Sequence, residues 1–158
     1  MILANLASVS KGCKISAHCI ACVTSLDGGR GYPIGQKWRK RFAQRGFEVG
    51  RIYTYTGAIL IAVNPFETLS IYGTDKMEPY ANKPLGIVEP HTYAMAEEAY
   101  KTLVKVKGQS QSLVVSGESG AGKTETNKHL MNYIAWRSKS ESVGADLATA
   151  ILEANPVL

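Results

Sequence analysis

Leu113-Val114-Val115-Ser116-Gly117-Glu118-Ser119-Gly120-Ala121-Gly122-Lys123-Thr124 is the stretch from which the fold is read. A short apolar run suits a buried parallel strand and leads into a glycine-rich turn. The turn opens an amphipathic segment, with Leu130, Met131, Ile134 and Ala135 at helical spacing. Gly117, Gly122, Lys123 and Thr124 fit the phosphate-loop pattern G-x-x-x-x-G-K-S/T in the strand-to-helix setting it requires. Gly117, Gly120 and Gly122 tolerate positive φ and lack a Cβ, so the backbone around Glu118, Ser119 and Ala121 can fold tightly about an anion. Amides turned inward make a nest for phosphate oxygens, and the helix N-terminus adds its dipole and unpaired N–H donors. Lys123 is expected to reach the β- and γ-phosphates, and the Thr124 hydroxyl to bind Mg²⁺.

Upstream, Ile52 to Thr56 alternates in strand fashion and Ala58 to Val63 is continuously apolar, with Gly57 between them. Two strands in a hairpin are predicted, the second stopped by Asn64-Pro65, because proline has no N–H for a ladder. Phe66 to Gly86 is a long connection holding one helical turn over Asp75 to Tyr80. Pro90 suits the first turn of a helix running to about Lys107, with Gly108 closing it. The phosphate-loop strand spans Ser112 to Ser116 and its helix Gly122 to about Arg137. Ser138 to Gly144 reads as a polar linker, and Asp146 to Ala154 as a last helix ended by Asn155-Pro156. Strands alternating with helices give an α/β fold: a partial sheet of phosphate-loop NTPase type with flanking helices.

Residues 1–50 carry no sustained periodicity, and Gly28-Gly29-Arg30-Gly31-Tyr32-Pro33 breaks any regular element. They are set apart as an N-terminal segment of undetermined, flexible character, ahead of a unit spanning 51–158. The chain of 158 residues, 45% hydrophobic and 20% charged, can bury a real core. No run approaches the roughly 18 apolar residues a membrane helix needs, and Met1 to Val9 lacks the basic start of a signal peptide. A cytoplasmic protein with no membrane partner is expected. The net charge of +5 is concentrated between Arg30 and Arg51, where Arg30, Lys37, Arg39, Lys40, Arg41, Arg45 and Arg51 face one acid, Glu48. A solvated arm is the preferred account of that patch, so no nucleic-acid partner is expected. Cys13, His18, Cys19 and Cys22 could supply four zinc ligands on paper. Adjacent His18 and Cys19 fit a tetrahedron poorly, and three cysteines make no disulfide framework, so buried thiols are the preferred account.

The loop Gly117-Glu118-Ser119-Gly120-Ala121-Gly122-Lys123-Thr124 resembles, more closely than the general pattern demands, the form used by the myosin motor domain. Asn64-Pro65-Phe66-Glu67-Thr68-Leu69-Ser70-Ile71-Tyr72 is similar to the purine-binding loop of that family. Ile52 to Gly57, Pro90 to Ala96, Glu125 to Lys128 and Ile151 to Leu158 add to the resemblance, which covers about residues 51–158. It implies the opening part of an unconventional myosin heavy chain head, an actin-based motor of the cytoskeleton driven by ATP and Mg²⁺. It also implies that Asn64, Pro65 and Tyr72 hold the adenine. Ser119 would face the γ-phosphate and attacking water, with Lys123 on the phosphates. Glu125 and Asn127 would orient the loop and cap the first helical turn.

In that family the segments that complete Mg²⁺ coordination and position water, switch I and switch II, lie downstream of the last matching residue here. No apolar strand ending in Asp is read from the chain. Nucleotide binding with little or no hydrolysis is therefore expected, and actin filaments are expected as partners of the whole motor only. A generic phosphate-loop kinase or GTPase is the alternative enzyme. The upstream purine stretch and the absence of N-K-x-D speak against it. Two further alternatives are a binding module acting through the basic arm and an inactive truncated product with open sheet edges.

Overall fold

The computed structural model describes residues 2–5, 16–23, 51–105 and 110–140. Its elements in chain order are β1 (Ile2–Asn5), β2 (Ser16–Val23), β3 (Tyr53–Thr56), β4 (Ile59–Val63), a short helix α1 (Thr74–Met77) continued by a 3₁₀ turn (Glu78–Tyr80), α2 (Thr92–Lys105), β5 (Gln111–Gly117) and α3 (Lys123–Ser140). The strands form one sheet in the order β1-β5-β2-β4-β3. β2 runs parallel to both neighbours, while β1 and β3 pair antiparallel at the edges. The predicted hairpin is present, with Tyr53 opposite Ala62 and Thr56 opposite Ile59. Gly57 takes φ +60° in its two-residue turn, a conformation that favours glycine there.

Residues 1–50, in which the sequence marks no regular element, contribute two strands to this sheet. β2 lies between β5 and β4, pairing Cys19 with both Val114 and Ile59. Alternation marks a strand with one face in water, and an interior parallel strand need not show it, so β2 carries no period-two signal. His18, Cys19 and Cys22 lie on β2, whereas Cys13 falls outside the described residues, and no metal-binding cluster exists among those described. The last predicted helix and most of the basic segment also fall outside. Arg51, which is described, makes an exposed ion pair with Glu89 at 3.1 Å.

Leu113 and Val115 of β5 are fully buried, and α2 and α3 pack on this strand and on each other. α2 begins at Thr92, two residues after Pro90, because the His91 ring is its cap: Nδ1 accepts from the Tyr93 N–H at 3.1 Å. α3 runs three residues beyond the predicted Arg137, into the expected linker. Ser138 donates back to the Ile134 carbonyl at 2.7 Å, and Arg137 is anchored in the interior. Its guanidinium donates to Glu97 Oε2 at 3.1 Å and to Asn82 Oδ1 at 2.9 Å. Glu97 also accepts from Tyr133 Oη at 2.9 Å and from the Asn82 N–H at 2.8 Å. Burial and this carboxylate hold the Tyr133 hydroxyl protonated far above its ordinary range. No helix among the described residues is long and apolar enough to cross a membrane.

Candidate functional site

Three parallel strands end together at one edge of the sheet. Cys22 of β2 is in register with Gly117 of β5 on one side and Ala62 of β4 on the other, and Val23 with Val63. The Gly117–Thr124 loop and the Asn64-Pro65-Phe66 loop therefore leave from the same edge, the position where open α/β sheets hold ligands. Asn64 ties them: its Nδ2 donates to the Gly120 carbonyl at 2.8 Å. Its Oδ1 accepts from the Phe66 N–H at 2.9 Å, an Asx turn that supports Phe66 at φ +53°.

Within the glycine loop the Ala121 N–H donates to the Glu118 carbonyl at 3.2 Å, and Gly120 and Gly122 take φ +77° and +87°. A Cβ on Gly122 would meet Asn64 at 3.8 Å, an ordinary contact, so conformation rather than space requires glycine there. The Thr126 N–H bonds to the Gly122 carbonyl at 2.9 Å, the first helical bond of α3. Lys123 folds back over the loop and donates to the carbonyls of Gly117 at 3.0 Å and Glu118 at 2.6 Å. Among the described residues no carboxylate neutralises it, so an ammonium stands at the loop with dipoles alone for company. Glu118 and Ser119 are exposed, and Thr124 is half-buried beside Lys123.

A cavity of about 50 Å³ lies between the two loops, lined by Tyr53, Asn64, Pro65, Tyr72, Gly122, Glu125 and His129 among others. Asn64, Pro65 and Tyr72, distant in sequence from the glycine loop, are thus brought against it. Tyr72 Oη shares a hydrogen bond of 2.5 Å with Tyr53 Oη, and its ring stacks on His129 with centroids 3.5 Å apart and planes 4° from parallel. Glu125 pairs with Lys128 at 2.7 Å and borders the cavity. Asn127 is buried, and among the described residues its Oδ1 has no partner, so that oxygen caps nothing there. Tyr53 and His129 escaped the sequence reading. The one signal for His129 is its place four residues after Glu125, on the same side of α3.

His91 lies behind Tyr72, with four tyrosine rings, Tyr53, Tyr72, Tyr80 and Tyr93, at 4.3 to 5.5 Å. Burial, with nearby His129 adding to it, pulls its imidazole down to about 3, and a backbone hydrogen bond with Ile71 works the other way. An unfolded histidine titrates near 6.5, so as pH falls the unfolded chain takes up this proton first. Stability from His91 is whole above about pH 6.5 and declines by roughly 1.4 kcal/mol per pH unit towards pH 3. Denaturant melts at pH 7 and pH 5 should differ by about 2 kcal/mol from this group. The difference should flatten in His91→Asn, which keeps a cap acceptor; a slope unchanged by that substitution would rule His91 out as its source.

The family model described as Myosin head (motor domain) matches residues 36–158, starting fifteen residues upstream of Arg51, where the motif resemblance begins. Among curated proteins, Myosin-9 of Arabidopsis thaliana is 48% identical over 114 residues, covering 71% of this chain and 7% of its own. Myosin-5 of the same plant is 50% identical over 114 residues with the same coverage. Myosin-8 is 47% identical over 118 residues, 73% of this chain and 8% of its own. The chain therefore spans less than a tenth of the length of these relatives.

Proposed function

The chain belongs to the myosin head (motor domain) family, and from that premise we propose that it is the ATP-binding portion of an actin-based motor. Its bond between Asn64 and Gly120 carries the proposal, because it joins a base slot to a phosphate loop at one sheet edge. The backbone of Gly117 to Gly122 cradles the phosphates, and Lys123 moves from the Gly117 and Glu118 carbonyls to the β- and γ-phosphates. Asn64, Pro65 and Tyr72 hold the adenine, and the Ser119 hydroxyl faces the γ-phosphate. Thr124 would hold Mg²⁺. Its hydroxyl is a hard oxygen at the first turn of α3, which suits an ion that takes most of its other ligands from water and phosphate rather than from an acidic cluster. Bound there, the ion would neutralise charge on the phosphate oxygens. We assign binding to these residues and turnover to none of them. Filament attachment belongs to the whole motor, at the cytoplasmic actin cytoskeleton. The family membership disfavours a generic kinase or GTPase.

A ligand that binds only the native state must raise its stability, by about 2.7 kcal/mol at a hundredfold excess over Kd. For a chain of this size MgATP should then lift the melting temperature by roughly 5–10 °C. A melt that MgATP leaves in place, or that MgGTP raises further than MgATP, counts against the assignment.

A further inference from the structure

We infer that His129 occupies the seat of the nucleobase: its imidazole stacks on Tyr72 in the free chain and is displaced when a base stacks there. The inference rests on the nucleotide binding proposed above and adds a residue that restrains it. The cavity between the loops, about 50 Å³, has room for a few waters at roughly 10–15 Å³ each. A purine needs one wall to yield. Asn64 is pinned by two hydrogen bonds and Tyr72 by the Tyr53 hydroxyl and the rings of His91 and Tyr93. Pro65 is rigid, and Tyr53 belongs to the core. His129 is half-buried, makes no hydrogen bond among the described residues, and is held by its stack on Tyr72.

That stack is a face-to-face sandwich, with centroids 3.5 Å apart, whereas aromatic pairs prefer offset or edge-on arrangements. It is the weaker way to pair two rings and so the easier one to exchange. A nucleobase offers a larger π-face to the same tyrosine, and its stacking on an aromatic side chain outweighs that of a small ring pair. His129 lies one turn after the exposed Glu125 and beside the exposed Lys128, on the more open face of α3, so the ring has solvent within reach. Burial holds its imidazole below the ordinary range, so it leaves as a neutral ring.

Titrations of the full chain at pH 7.5 with MgATP, and with inorganic tripolyphosphate and Mg²⁺ as the baseless probe, test this. His129→Ala should tighten MgATP about three- to ten-fold, the worth of one aromatic pair, and leave tripolyphosphate unchanged. His129→Phe, whose apolar ring resists transfer to water, should weaken MgATP by a similar factor and again spare tripolyphosphate. In the parent chain the His129 ring-proton resonances should lose the shielding of Tyr72 on adding MgATP and keep it with tripolyphosphate. MgATP affinity unchanged or weakened in His129→Ala, or both ligands shifting together, overturns the inference while leaving nucleotide binding intact. A parent chain that takes neither ligand overturns both.

Discussion

Lys123→Ala is expected to weaken MgATP binding by roughly a hundredfold while moving the melting temperature of the free chain by no more than about 2 °C. The asymmetry follows from what the ammonium touches in each state. In the free chain it donates to two loop carbonyls, Gly117 and Glu118, from a half-exposed position, and water can replace it there. On a triphosphate the same group would make charge-assisted hydrogen bonds worth about 1.5–3 kcal/mol each, and two of them at the lower figure already give the hundredfold. Asn64→Ala removes a neutral bond to Gly120 and should weaken binding by only about tenfold. Lys123→Arg should not rescue, since a planar fork cannot replace a compact point charge in a tight backbone loop. Isothermal titration or a fluorescent ATP analogue measures all three. Wild-type affinity in Lys123→Ala would remove the physical basis of the proposed site.

Much of this site was legible because its signals are local. Gly120, Gly122 and Lys123 announce themselves by residue type and spacing, and the chain between β5 and α3 is too short to hide a different connection. Asn64 was local too, as the end of a strand, and its place beside the loop rested on sheet neighbourhood and family resemblance, but its bond to Gly120, 56 residues away, left no mark in the sequence. The stack of Tyr72 on His129 joins residues 57 apart, and neither carries a periodic pattern. β2 failed for the same reason: Ser16 pairs with Gln111, 95 residues away, so nothing near it records the pairing. Helix ends were missed where a side chain overrides propensity, as His91 does before α2 and Arg137 near the end of α3.

Glu97→Ala is the substitution expected to cost the fold most, about 3–5 kcal/mol and roughly 10 °C in melting temperature. Glu97 has 1% of its surface exposed and Arg137 3%, so neither charge can turn to water when its partner is lost. Alanine at 97 strands the guanidinium, the Tyr133 hydroxyl and the Asn82 N–H at once. The Asn82 side-chain Oδ1 and the Tyr100 ring, 5.2 Å beneath the guanidinium, remain and limit the damage. Since the penalty comes from an unpaired charge rather than a lost attraction, removing both should be milder. Glu97→Met with Arg137→Met is expected to recover the part of the loss due to the stranded charge, leaving that of the Tyr133 hydroxyl and the Asn82 amide, and a double-mutant cycle in denaturant measures the coupling. Arg137 lies fourteen residues along α3 from Lys123, about 21 Å at 1.5 Å per residue, so the clamp holds the helix without touching the loop. The folded fraction of Glu97→Ala should therefore bind MgATP within about twofold of the parent, a change under 0.5 kcal/mol. A Glu97→Ala chain that melts like the parent would mean the clamp contributes nothing. One that melts lower and also loses affinity tenfold would mean that α2 and α3 transmit their packing to the site.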